Sequence, residues 1–350
     1  MHKLIGAFII SQLAAPSPDA PFREPQLAAA SGLTAIAFGS GSNIYVATST
    51  DNGQSFAKPV KVAGAPVVLL THHRGPRIAI SGGAIVVTAV AGQTGATGPG
   101  PKLELDLLSW RSLDGGKTWS KGVRVNDVAY AAREGLHTLA ADNHGNLFAA
   151  WLDLRQKGTR LWGAWSSDSG ATWTKNVQVY ESSDGTICQC CHPTAAFDAA
   201  GDLDVMWRNV LDGSRDFYLV RADAERRFGN PRKLGDGTWK LNACPMDGGG
   251  LVHAGARTVT AWRRVDEIFI SEPGKPEIKI GEGKDVTLAA AGDRIWAAWI
   301  SKSGELVCWT DGKQETIAKQ AAFPNLTPLP GGGALLAWEE NTGISLHRLP

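Results

Sequence analysis

Three copies of one octet constrain this chain more than any other feature. They are Ser49-Thr-Asp51-Asn-Gly53-Gln-Ser-Phe56, Ser112-Leu-Asp114-Gly-Gly116-Lys-Thr-Trp119 and Ser166-Ser-Asp168-Ser-Gly170-Ala-Thr-Trp173. The shared template is Ser-x-Asp-x-Gly-x-x-aromatic. An Asp in this position caps a tight turn by accepting backbone N–H groups, and the Gly supplies a positive φ. The aromatic residue anchors the turn on a sheet. Each copy follows one apolar run and precedes another, so each reads as the tip of a hairpin. Recurrence at about 40–60 residues signals a repeat architecture such as a propeller.

These octets resemble the Asp-box (BNR) repeat of the sialidase superfamily. The resemblance implies an all-β fold, a β-propeller of four-stranded antiparallel blades. Asp-boxes also occur in sorting receptors, in other glycosidases and in proteins without catalysis, so the motif speaks to fold and not to activity.

The 350 residues suit one propeller. Seven units can be counted, beginning near Pro25, Pro76, His137, His192, Met246, Asp285 and Phe323. The resemblance would imply six, which stands as the alternative. Most units contain a strand ending in Ala-Trp, and the 13 tryptophans fit packing between blades. The boxes of the fourth to sixth units are eroded, as in Arg221-Ala-Asp223-Ala-Glu-Arg-Arg-Phe228 and Thr310-Asp311-Gly312. The last unit stops after Ser345–Leu349 without a fourth strand of its own, which leaves ring closure open.

Residues 1–20 have a short basic start (His2, Lys3), an apolar run from Leu4 to Ala15, then small residues and prolines. This pattern is that of a secretory signal peptide with cleavage near Ala15 or Ala20, leaving a single propeller domain over 21–350. The rival is an uncleaved anchor, for which the run is short. A secreted or periplasmic location follows, in which thiols meet an oxidising environment. Net charge is +1 with no block of like charge, so nucleic acid and stable membrane insertion are poor expectations. A monomer is expected.

In a four-stranded meander, the segments before strand one and between strands two and three share one end. Strand one is innermost, so its lead-ins ring the mouth of the central channel. Those lead-ins carry Arg23, Glu24, His72, His73, Arg77, Arg133, Glu134, His137, Asp247 and Asp285; the loops after strand two add Asp153, Arg155, Arg208, Arg263 and Arg264. The opposite end is expected to hold nothing comparable. A ligand site at the mouth is therefore expected, with Arg23, Arg77, Arg133, His137, Asp153, Arg155 and Arg208 as its polar groups. The expected partner is a small anionic molecule, a glycan or a metal ion. Within this set, Asp153 and Arg155 are also spaced for a local ion pair, and His72-His73 for a solvated loop pair.

Cys188, Cys190, Cys191 and Cys244 precede the first strands of units four and five and can meet in space. Three readings are open. Two disulfides would staple the units. A thiolate site with His192 and Met246 as further ligands would suit Cu(I) or Zn(II), although Cys-x-Cys-Cys is not a usual zinc spacing. A redox-active thiol beside Arg or His is the third. The Cys-x-Cys-Cys pattern with a later Cys-Pro resembles exported sialidase-like proteins, a likeness that implies no particular activity. Cys308 reads as a buried free thiol.

Phe22-Arg23-Glu24-Pro25 resembles the Phe/Tyr-Arg-Ile-Pro segment of sialidases, whose Arg helps to clamp a substrate carboxylate. The third position departs, being Glu24. By position, Arg77, Arg133 or Arg208 would complete an arginine triad. The family's late Tyr nucleophile has no counterpart, since no Tyr follows Tyr218. Tyr130, assisted by Glu134, is the geometric stand-in, with Tyr180 as another. An exo-α-sialidase, a ligand-binding propeller and a purely structural propeller are thus all open.

Overall fold

The computed structural model describes residues 10–30, 32–95 and 102–350. Seven antiparallel sheets follow one another along the chain, so the count of seven holds and six does not. Blade 1 comprises Arg23–Ala30, Leu33–Ser40, Asn43–Ser49 and Val60–Gly64. Blade 2 comprises Arg77–Ser81, Ala84–Gly95, Lys102–Ser112 and Val123–Arg124, with Val67–Val68 pairing on the far end of its long second strand. The first strands of blades 3 to 7 are His137–Ala141, Thr194–Phe197, Gly250–Ala254, Lys284–Ala291 and Ala322–Pro328.

Hydrophobic packing runs between blades. Each of the main apolar clusters is built from two neighbours, so that Phe148, Trp165, Val205 and Trp207 join blades 3 and 4, while Trp296, Ala298, Leu336 and Trp338 join blades 6 and 7. Trp151, Trp207, Trp296, Trp299 and Trp338 are all below 2 % exposed. Burying one such ring contributes at most roughly 4–6 kcal/mol. The Ala-Trp strand endings are therefore the sequence trace of this blade-to-blade wedge.

The Asp-boxes lie between strands three and four of blades 1 to 3. In blade 2, Asp114 Oδ1 accepts the N–H groups of Lys117 and Thr118 at 3.0 and 2.9 Å and the hydroxyl of Ser112 at 2.7 Å. Gly116 has φ 90°, and its N–H donates to Ser112 Oγ at 2.9 Å. Asp51 and Asp168 repeat this arrangement. In the eroded box of blade 4, Arg226 takes the left-handed conformation at φ 63°, while Asp223 still accepts the Arg227 N–H at 2.9 Å.

Ring closure differs from the expectation. The seventh blade does have a fourth strand, and the N-terminal segment supplies it: Ile10–Leu13 pairs antiparallel with His347 to Ile344. Leu13 and Ala15 pack on the cluster between blades 7 and 1. The expected leader thus overlaps the closing strand; its residues 1–9 lie outside the described residues. No helix among the described residues is long and apolar enough to cross a membrane.

Candidate functional site at the channel mouth

One backbone device recurs where chains enter the innermost strands. Glu24, Asp285 and Phe323 adopt left-handed φ values of 56°, 60° and 50°. Each sits in a break of register, between Arg23 and Gln26, Lys284 and Thr287, and Ala322 and Asn325. His73 and Met246, in other lead-ins, are also left-handed, at 65° and 60°. Non-glycine residues rarely hold this conformation, and five of the seven lead-ins to the innermost strands contain one.

The lead-ins interlock. His73 Nε2 lies 3.0 Å from Asp285 Oδ1, and the His73 N–H donates to Glu24 Oε1 at 2.8 Å. The His73 ring meets His192 at 5.1 Å and Phe323 edge-on at 5.0 Å. Burial opposes protonation of His73, but the hydrogen bond and charge of Asp285, helped by Glu24, outweigh it and raise its pKa. Burial pushes His192 well below the usual imidazole range, with the charges of His73 and Arg77 adding to the effect. Two imidazoles whose pKa values are driven in opposite directions therefore face each other over a channel cavity of about 230 Å³.

Most of the expected arginines are engaged by the protein itself. Arg23 pairs with Glu339 at 2.9 Å. Arg77 is buried and donates to the carbonyls of His73, Gly75 and Pro76. Arg133 is exposed, with Nη1 on the Tyr130 carbonyl, and Glu134 pairs with Arg74 at 2.7 Å. Arg155 holds Asp153 in a bidentate pair and stacks 3.8 Å above the Trp162 ring, which is the local pairing foreseen as its alternative. His137 is fully enclosed, bonded to Thr88 Oγ1 at 3.1 Å, and burial pushes its pKa down to about 3. His72 is exposed, whereas His73 is not the solvated residue expected of a loop pair.

Arg208 lies behind the mouth. Its Nη2 is 3.1 Å from Asp247 Oδ1, and both side chains are 1 % exposed. Arg263 Nε stands 2.7 Å from Asp247 Oδ2, an ion pair whose angle falls short of a hydrogen bond. Burial lowers the pKa of Arg208, but the charges of Cys191, Asp247 and Cys188 more than reverse this.

Next to Arg208 is the cysteine cluster. The Cys188 N–H donates to the Arg208 carbonyl at 3.1 Å, and Ile187 is tied to Thr159, so the turn carrying the thiols is fixed to blades 3 and 4. Cys188 Sγ is 3.6 Å from Cys190 Sγ and 3.5 Å from Cys191 Sγ. All three sulfurs lie within 4.8 Å of one another. A disulfide would need about 2.05 Å, and every cysteine of the described residues is free. Four sulfurs at about 2.3 Å from a tetrahedral ion would stand about 3.8 Å apart, close to the spacing seen. Arg215 Nη1 donates to Cys188 Sγ at 3.2 Å. Hydrogen bonds from Cys190 and Cys191, aided by Arg208, hold the Cys188 thiol far below its usual pKa despite burial. Burial and the Cys188 sulfur raise Cys191. His192 turns from this group to His73, and Met246 is 38 % exposed, so the converging donors are the three sulfurs. Cys244 is exposed and interacts with Cys190. Cys308 is buried far from the mouth in blade 6, its thiol pushed up to about 12 chiefly by burial.

The opposite end is not as bare as expected. It holds the larger cavity, about 720 Å³, bordered by Asp142, Asp198, Asp223, Arg226, His253 and Trp165. Its acids are spent on their own turns: Asp142 caps His144 and Asn146, Asp198 caps Ala200 and Asp202, and Asp223 caps Arg227. Arg226 is stacked on Trp165 and bonded to Ser167. With its acids spent on their own turns, this end has the weaker claim, and the mouth the stronger one.

Sequence reasoning placed Glu24, Asp247, Asp285 and Arg263 at the rim but did not pair them. It missed Arg215, which sits in a loop of blade 4 with no spacing signature.

No protein-family model and no curated protein matches the chain. Solved structures do match in fold. The intramolecular trans-sialidase from Ruminococcus gnavus superposes with TM-score 0.53 at 12 % identity, covering 94 % of both chains. The α-L-arabinofuranosidase of Fusarium graminearum gives 0.57 at 12 %, covering 98 % of this chain and 97 % of that one. A polysaccharide lyase acting on ulvan gives 0.57 at 11 %, covering 97 % and 96 %. At these identities the likeness concerns the propeller fold, which this chain shares with carbohydrate-active enzymes.

Proposed function

We propose that this chain is a binding propeller whose working centre is a soft-metal site formed by Cys188, Cys190 and Cys191 at the channel mouth. The observation that carries this reading is the convergence of three sulfurs without a disulfide, Cys188 Sγ lying 3.5–3.6 Å from the other two and all three within 4.8 Å, with a guanidinium on one of them. Thiolate sets of this kind select Cu(I) or Zn(II). The protein's part is to hold the donors. The turn is pinned to two blades, Arg215 and Arg208 stabilise developing thiolate charge, and binding releases thiol protons to solvent. We read the leader pattern as directing export with Ile10–Leu13 retained in the ring, which would put this site in the cell envelope or outside the cell. A carboxylate-clamping sialidase site lacks a comparable observation, because Arg23, Arg77, Arg133 and Arg208 each have protein partners.

Anaerobic titration of the reduced protein with Cd(II), a spectroscopic stand-in for Zn(II), tests the proposal. The expected result is thiolate-to-metal charge-transfer absorption that saturates at one ion per chain and disappears in Cys191→Ser. A wild-type protein that is folded, reduced and shows no such band overturns it.

A further inference from the structure

The geometry points to Cu(I) as the ion, held by Cys188, Cys190 and Cys191 alone, with Cys244 as the exposed thiol through which it enters and leaves. This inference rests on the metal reading of the same cluster and adds the identity of the ion and its route.

Charge decides the identity. Arg215 touches Cys188 Sγ, and Arg208 interacts with Cys191 and Cys188. Asp247 pairs with Arg208 and also with Arg263. His73 and Asp285, 3.0 Å apart, balance one another beside this group, so the three permanently charged guanidiniums against Asp247 leave a surplus of two positive charges in a part-buried wall. Three thiolates around a monovalent ion carry two negative charges, which cancels that surplus. The same thiolates around a divalent ion carry one, leaving a positive charge uncompensated where solvent screens it poorly. Zinc would regain balance, and its preferred four ligands, only by recruiting a fourth thiolate. Arg208 Nε adds a second sign: it is buried without a hydrogen-bond partner, on a side chain 1 % exposed, beside sulfurs that become anionic when metal binds.

Exposure decides the route. Cys188 and Cys191 are each 1 % exposed, Cys190 is half-buried, and Cys244 is exposed and interacts with Cys190. The thiols therefore form a graded path from solvent to the buried pair. The carrier would be a thiol-ligated Cu(I) complex. In each step one Cu–S bond forms to an incoming thiolate and one breaks to a departing one. The copper keeps its oxidation state, and the proton of each incoming thiol passes to solvent or to the departing thiolate.

The test is anaerobic competition against a chromophoric Cu(I) chelator and, separately, a chromophoric Zn(II) chelator. Wild type, Cys244→Ser and Arg215→Gln are compared, with the number of sulfur ligands read by X-ray absorption. Wild type and Cys244→Ser should both bind one Cu(I) with three sulfurs and with affinities within about threefold. Transfer from a glutathione–Cu(I) complex should slow about tenfold or more in Cys244→Ser. Zn(II) binding should weaken about tenfold in Cys244→Ser, because zinc needs the fourth thiolate. Arg215→Gln removes one positive charge and should lower the ratio of Cu(I) to Zn(II) affinity about tenfold. Four-sulfur Cu(I) that loosens in Cys244→Ser, an unchanged transfer rate, or an unchanged ratio in Arg215→Gln overturns this inference and leaves the metal site standing. Wild type that binds neither ion overturns the metal site itself.

Discussion

Asp247 is the most exacting place to probe the wall of the mouth. It is 1 % exposed and faces two guanidiniums, Arg208 at 3.1 Å and Arg263 at 2.7 Å. Asp247→Ala leaves both without a counter-charge, one of them 1 % and the other 14 % exposed. Breaking a buried pair from one side costs about 3–5 kcal/mol, and the partial exposure of Arg263 favours the lower end. At this chain length, roughly 1.4 °C in Tm accompanies each kcal/mol, so a fall of about 4–7 °C is expected by calorimetry. The double variant Arg208→Met/Asp247→Leu, which removes the main charge pair and keeps volume, should regain most of that loss. The single variant also makes the cysteine wall more positive, so Cu(I) or Cd(II) should bind more tightly to a less stable protein. A loss below about 1 kcal/mol, or weaker metal binding in a folded variant, would show that Asp247 does not neutralise this wall.

Other perturbations have equally definite outcomes. A chain starting at Pro16 lacks the closing strand and the contacts of Leu13 and Ala15; it should be less stable than one starting at Met1 by about 1–3 kcal/mol, and equal denaturant midpoints would refute a closing role. Asp114→Ala removes the acceptor for two N–H groups and the Ser112 and Thr118 hydroxyls, and should lower the thermal midpoint without changing metal affinity. His137 is neutral in the native protein, with a pKa near 3 against an ordinary 6.5. As pH falls below 6.5 the unfolded chain takes a proton that the native one refuses, so stability drops by about 3–5 kcal/mol by pH 3. His137→Gln should flatten that acid limb in urea titrations. His73 acts in the opposite sense: its raised pKa adds stability that is fully present below the ordinary 6.5 and is lost as pH rises through the folded value. Asp285→Asn should therefore abolish the alkaline loss.

The fold was legible because its determinants are local or periodic. A Ser-x-Asp-x-Gly turn closes within five residues, and Ala-Trp endings recur in most blades, so the number of blades can be read along the chain. Ring closure was not legible, because Ile10–Leu13 pairs with His347 to Ile344 at the far end of the chain and its apolar run doubles as a leader pattern. The mouth was legible as a neighbourhood, since lead-ins to innermost strands must converge. Its pairings were not. Whether Arg77 clamps a ligand or its own backbone depends on the left-handed turn at His73 and the carbonyls it aims inward, and no residue spacing encodes that. Arg215 reaches Cys188 across a blade loop, a contact that only the folded chain reveals.

The central claim is that Cys188, Cys190 and Cys191 act as one metal-holding unit. The most direct measurement is native mass spectrometry after alkylation of the protein isolated without reductant or chelator. One ion bound per folded chain with these three thiols unmodified is expected, and all three modified once the ion is stripped. A chain of unaltered metal-free mass with the three thiols freely alkylated, or a mass lowered by two hydrogens per disulfide, would contradict it.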